Sequence, residues 1–252
     1  MKKLLLFLAI GLLALVLIVY IGGQFFLGSA VEAGVNRVGP RITQTKVHLD
    51  DAALSPLSGT GTLSGLAIGN PQGWSDANAF YLGRVQLDVE PASVLKDTIV
   101  INRLVIEQPE ITYETRVVSS NIGDLLKNIE ASVGGGQDKP DDPNATPKKY
   151  IVKHFALQDG KVTLGVGPAA LPLPMPPLEL NDLGVAEGGL TAGQLAVAVT
   201  RAVLPNIISA TASAGGKIGG AMGGATGDAV KQASEGLKKL FGGEKKKEPE
   251  QK

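Results

Sequence analysis

The chain has 252 residues, enough for one or two domains and a sizeable core, and its 24 basic and 24 acidic side chains cancel, so no overall field draws it to nucleic acid. It contains no cysteine, which excludes disulfides, thiolate metal sites, cysteine nucleophiles and a lipid-modified cysteine. Charge is unevenly spread: residues 29–130 carry 8 basic and 12 acidic side chains, 131–190 carry 5 and 7, and 191–252 carry 9 and 5, so a mildly acidic body precedes a basic tail.

Lys2 and Lys3 precede Leu4–Leu27, an apolar run whose only strongly polar side chain is Gln24. A helix of that length spans a hydrocarbon layer roughly 30 Å thick, and the leading lysines favour an N-in, C-out orientation. Residues 1–28 therefore read as a transmembrane signal-anchor. A cleaved signal peptide is the competing reading, since Gly28-Ser29-Ala30 offers small residues to a peptidase; the length of the run favours retention. Under either reading the body is exported.

Residues 29–133 read as a first β unit with a helix at its end. Val31, Val35 and Val38 continue a helical period until Pro40, which is expected to stop it. Ile42–Leu49 alternates as a strand, Asp50-Asp51 and Ser55-Pro56 mark a turn, and Leu57–Ile68 is the return strand. Asn70-Pro71-Gln72-Gly73-Trp74 is a loop around the only tryptophan, which either packs on the sheet rim or reaches a membrane interface. Val85, Leu87 and Val89 take one face of a strand, with Gln86, Asp88 and Glu90 on the other. Pro91–Asp97 is a short helical or turn element. Ile99–Ile106 and Glu110–Val118 are expected to form the next pair, broken at Pro109, which has no N–H for a ladder and so suits a turn or an edge. Strands that change face at every residue predict an antiparallel sheet with one oily side, and Leu66, Ile68, Val85, Leu87, Val89, Ile111 and Tyr113 fall on it.

The period then changes. Ile122, Leu125, Leu126 and Ile129 make the apolar stripe of a short amphipathic helix, with Ser120 or Asn121 as its N-cap, able to cover an open side of the sheet. Residues 134–147 are a Gly/Pro/Asp/Asn linker containing a chance-level sequon at Asn144. Residues 148–190 form a second β unit, because Ile101–Tyr113 lines up with Val152–Leu164 at a constant offset of 51. Leu104 matches Phe155, Ile106 matches Leu157, Pro109 matches Gly160 and Ile111 matches Val162. The unit is read as a second strand–turn–strand extending the same sheet and ending in a strand over Leu178–Val185.

From Thr191 to residue 241 the chain reads as helical and glycine-rich. Leu195, Val199, Ala202 and Val203 mark one face, and Pro205 kinks or interrupts the helix. Glycines recur every four residues from Gly215 to Gly227, a spacing that suits either close helix packing or flexibility. Val230, Ala233, Leu237, Leu240 and Phe241 beside Lys231, Lys238 and Lys239 suit an anionic membrane surface or docking on the acidic body. Residues 242–252 are a charged, disordered tail.

No cluster of catalytic or metal-ligating residues emerges. His48 and His154 sit in strands without metal-type spacing, and Gly59-Thr-Gly61 lies in a strand rather than at a strand-to-helix turn, so it is no nucleotide fingerprint. The expectation is a non-enzyme without cofactor, and without nucleic-acid partners.

Gly59-Thr-Gly-Thr-Leu-Ser-Gly-Leu-Ala-Ile-Gly-Asn-Pro-Gln-Gly-Trp74, then Leu-Gly-Arg-Val-Gln-Leu-Asp-Val and Ile-Val-Ile-Asn-Arg-Leu-Val-Ile-Glu-Gln-Pro-Glu-Ile, all behind an N-terminal anchor, resemble the N-terminal module of AsmA-like envelope proteins, the group that includes the longer TamB and YhdP relatives. The resemblance covers about residues 1–185 and rests on structural rather than catalytic positions. It implies an α+β protein: an N-terminal transmembrane helix in the bacterial inner membrane, then a periplasmic, curved antiparallel sheet with an apolar inner face, a short covering helix and a C-terminal helical region. It implies two roles. One is binding phospholipid in a groove lined by the seven apolar residues named above. The other is a closed-core structural protein, capped by helices over 120–131 and 191–241, that binds envelope protein partners.

Overall fold

The computed structural model describes residues 22, 26–136 and 146–221, with side chains described as far as residue 212. The expected anchor, apart from a few residues at its end, lies outside the described residues, as do most of the linker, the basic stripe beyond residue 229 and the tail.

Over the described residues the protein is α+β, with a ten-stranded mixed sheet and three α-helices. Helix α1 covers 26–43. The strands are β1 (Val47–His48), β2 (Asp51–Leu54), β3 (Thr60–Gly69), β4 (Asn78–Val89), β5 (Thr98–Glu107), β6 (Glu110–Tyr113), β7 (Lys149–Gln158), β8 (Lys161–Leu164), β9 (Leu171–Pro174) and β10 (Leu178–Leu183). Helix α2 (Asn121–Gly134) lies between β6 and β7, and α3 (Ala192–Ala221) follows β10.

Several expectations are corrected. The sheet is not wholly antiparallel. β5 pairs with β7, and β6 with β8, in parallel, and α2 lies in the crossover that a parallel pair requires. The 51-residue repeat is the register of that pairing: Leu104 lies opposite Phe155, Ile106 opposite Leu157 and Ile111 opposite Val162. Nor does Pro109 turn a hairpin. β5 and β6 both run antiparallel to β4, in one continuous register, so they are two halves of a single strand bent at Gln108-Pro109. β7 and β8 are bent likewise at Asp159-Gly160. Helix α1 passes Pro40 and ends at residue 43, so Ile42 and Thr43 are helical and the strand expected over Ile42–Leu49 shrinks to β1. Proline at position 40 lacks the N–H that would bond the Asn36 carbonyl, which costs one backbone bond without ending the helix, and near the helix end the Thr43 side chain donates to the Gly39 carbonyl at 2.9 Å. Likewise α3 runs through Pro205 without ending.

The bends align. Continuing the register on either side places Asp50, Gly65, Gly83, Gln108, Asp159 and Pro176 in one row crossing six chain passes. Gly65, Gln108 and Asp159 adopt left-handed φ of 66°, 50° and 53°. One residue in that conformation flips the alternation of faces. Core positions are therefore an odd number apart across the row at Leu63 and Ile68, Ile106 and Ile111, and Leu157 and Val162; Leu82 and Val85 are also an odd number apart across Gly83, which is not left-handed. The row is a crease that folds the sheet while keeping one oily face.

That face is covered. Ile122, Leu125, Leu126 and Ile129 of α2, Val203, Leu204, Ile207 and Ala210 of α3, and Ile42 of α1 are buried with Val85, Ile106, Ile111, Tyr113, Val152, Phe155 and Val162 in one core. Ser120 caps α2 by accepting from the Gly123 N–H at 3.0 Å. Arg201 of α3 reaches Glu130 of α2 at 2.7 Å.

Candidate functional site

Three regions can be built from the sequence upward: the covered apolar face, a polar cleft on the opposite face, and a polar cluster around Trp74.

The seven residues expected to line a groove share the helix-covered face. Val85, Ile111 and Tyr113 are 4%, 1% and 7% exposed and belong to the core. Ile68, Leu87 and Val89 are half-buried against it. Leu66, half-buried, stands opposite Leu82 on the same face by register. The structure thus brings the seven together, on a face occupied by α2 and α3. Of the expected face of α3, Val203 is buried and Leu195, Val199 and Ala202 are half-buried, Leu195 and Val199 against the core; Thr200, Leu204, Ile207 and Ala210 complete the buried stripe. Burial of the Tyr113 and Tyr150 hydroxyls pushes both above the ordinary tyrosine value of 10.0; for Tyr113 a hydrogen bond with Ser120 opposes the shift.

On the other face the alternate residues of β2 to β5 line an open cleft of about 760 Å³. Arg84, Gln86 and Asp88 of β4, Arg103 and Val105 of β5, Thr60 and Thr62 of β3 and Asp51 of β2 form its floor, and Ser29 and Glu32 of α1 form one wall. Charges of both signs suit polar or zwitterionic groups rather than acyl chains. Sequence reading passed over this face, although the polar half of each alternating pattern marked it.

Trp74 is held at the start of α2. Its indole N–H donates to Asp124 at 3.0 Å, and Arg116 lies over its ring at 4.4 Å. Beneath it, fully buried Asn121 donates to Asn70 Oδ1 and to the Thr112 carbonyl, each at 2.7 Å, and accepts from the Glu114 N–H at 3.0 Å. Glu114 accepts from Asn70 at 2.7 Å and from Ser75 at 2.6 Å. Every one of these groups is satisfied within the protein, so the cluster reads as a clasp that fixes the 70–77 loop to α2.

Among the described residues there is no group of three or more His, Cys, Asp or Glu placed to hold a metal ion. His154 meets Asn181 at 3.1 Å and His48 meets Asp50 at 3.2 Å, both near the surface. Over Ala192–Ala212 the described chain has one helix long and apolar enough to cross a membrane, with a mean hydropathy of 1.5, which is weak evidence of membrane association. Comparison with protein-family models and with curated proteins finds no match.

Proposed function

We propose that this is a single-pass, membrane-anchored protein of the AsmA-like kind, N-in with its body in the periplasm, serving envelope or outer-membrane biogenesis as a scaffold that binds envelope protein partners. The observation that carries the scaffold role is the filled apolar face: Val85, Ile111 and Tyr113, which an open groove would leave to a ligand, are buried in one core with residues of α1, α2 and α3. The apolar run Leu4–Leu27 ahead of α1 supports the anchor. The Gly59–Trp74 and Ile99–Ile111 stretches carry the family resemblance. Six passes at roughly 4.8 Å spacing reach about 24 Å, too little to bridge an envelope alone. No enzymatic role or cofactor is proposed.

Phospholipid binding on the apolar face is the second reading. It is favoured by α3, which is nearly uncharged over its described side chains and apolar enough to leave the sheet for a membrane. Release of α3, which packs on α2 and on β7 to β10, would open one side of the apolar face that carries Leu66, Ile68, Val85, Leu87, Val89, Ile111 and Tyr113.

Native mass spectrometry of the full chain, extracted in mild detergent, separates the two readings. The scaffold predicts a body free of phospholipid and protein adducts in intact-cell crosslinking. Stoichiometric co-purified phospholipid would replace it with the second reading.

A further inference from the structure

Among the described residues, one end of the sheet carries exposed apolar side chains. The turn 55–59 presents Leu57, 77% exposed; the loop 90–97 presents Val94 and Leu95, 38% and 92% exposed; the loop after β10 presents Val185, 49% exposed. These loops are neighbours. The Val89 N–H donates to the Gly59 carbonyl, the Lys149 N–H donates to the Asp97 carbonyl, and Gly189 packs on Lys149 and Thr98. Lys96, Lys148 and Lys149 are exposed among the tips, with Asp97 and Glu187 beside them, so the rim has little net charge.

The direction of α1 says what this rim faces. Gly39 packs on Val47, Asn36 holds Leu49 through both its backbone groups, and Gly28 touches the Ala52 carbonyl. Helix α1 therefore runs back along β1 and β2, and its first turn, with Phe26 75% exposed, lies at the end of the sheet that carries Leu57 and Leu95. The apolar run Leu4–Leu27 joins the folded body here. Val117, Val118 and Val166, the other exposed valines, lie at the opposite end.

We infer that this rim rests on the bilayer surface, Leu57 and Leu95 entering the headgroup–acyl boundary and the three lysines meeting lipid phosphates, so that the body stands upright on the membrane rather than swinging from a tether. The inference rests on the proposed anchor. Two leucine tips beside lysines are the composition of an interfacial contact. With the first turn of α1 at the same end, the anchor delivers them to the bilayer at high effective concentration, so even a weak contact is populated.

The chain has no cysteine, so single substitutions carry a probe cleanly. Leu57→Cys, Leu95→Cys and Val117→Cys are surface changes that leave the core intact. Each full-length variant is labelled with an environment-sensitive fluorophore and placed in nanodiscs of phosphatidylethanolamine and phosphatidylglycerol, with and without nitroxide-bearing lipid. The inference expects blue-shifted emission and nitroxide quenching at 57 and 95, with neither at 117. Aqueous-like emission at all three positions in disc-bound protein overturns it while leaving the anchor standing. A chain that fails to enter the discs overturns the anchor and the upright docking together.

Discussion

Asn121 shows how one polar side chain can hold three segments at once. It sits fully buried at the start of α2, with each of its amide atoms bonded: to Asn70 in the Trp74 loop, to Thr112 on β6 and to Glu114 just past that strand. Asn121→Ala strands those three partners, and unpaired buried groups are expensive, so a loss of about 2–4 kcal/mol is expected in denaturant unfolding, with Trp74 fluorescence following the release of the loop. A conservative surface change such as Lys127→Gln, at an exposed helical pair, should cost well under about 1 kcal/mol. Tyr150 makes a different residue-scale case. Burial favours its neutral hydroxyl and raises its folded pKa above the unfolded 10.0. Its contribution is therefore complete below pH 10.0 and is lost as pH rises through the folded value. Tyr150→Phe should flatten the alkaline decline of stability measured from neutral pH upward, leaving the remainder to Tyr113.

At the scale of elements, the crease decides the architecture, and its two facing glycines differ. Gly65 has φ 66°, and a Cβ there would stand 1.9 Å from the Asp50 carboxylate; Gly83, its neighbour by register, has its nearest atom at 3.7 Å, on Tyr81. Gly65→Ala should lower stability by about 1–2 kcal/mol or more through backbone strain alone, whereas Gly83→Ala should fall within about 0.5 kcal/mol of the parent. Equal losses in thermal unfolding would mean that the crease is not set by conformation at Gly65. The same row explains what the sequence withheld. Alternation exposes which residues share a face between breakers, so β4, β5 and β7 were legible, as was α2 from its Ile122–Ile129 stripe and its Ser120 cap. It carries no information on strand direction, and Pro109, which suits a turn or an edge, proves to be a bend within one strand. The matched breaker at Gly160 contained the answer: both bends must stack if the repeats pair in register, as Gly160 does against Pro109 at 3.3 Å from its would-be Cβ. Only the second half of β4 alternates simply in the sequence, from Val85; across Gly83 the core positions shift by one residue, which hides Phe80 and Leu82.

For the whole molecule the deciding contact is α3 on the sheet, because it determines whether the apolar face is a core or a binding surface. The seven groove residues were legible as a set and the capping helices over 120–131 and 191–241 as one of two alternatives, but the choice between a covered and an open face was not, since a helix as apolar as α3 suits a core and a membrane equally. Two contacts hold it: the Arg201–Glu130 bond, whose side chains are 63% and 37% exposed, and the buried stripe that includes Ile207, which is fully buried. Solvent weakens the first, so Arg201→Ala should cost less than about 1 kcal/mol and leave the face closed. Removing the buried side chain leaves a cavity at the centre of the contact, and Ile207→Ala should cost about 2–5 kcal/mol. Ile207→Asp goes further by placing a carboxylate where no partner waits, which favours release of the helix over burial of the charge. If α3 and the sheet are independent once separated, the Asp variant should keep its sheet signal in circular dichroism while binding a hydrophobic dye and acquiring phospholipid during extraction. Complete unfolding instead would identify α3 as part of the cooperative core, which makes the closed face permanent and leaves the surface as the place where partners act.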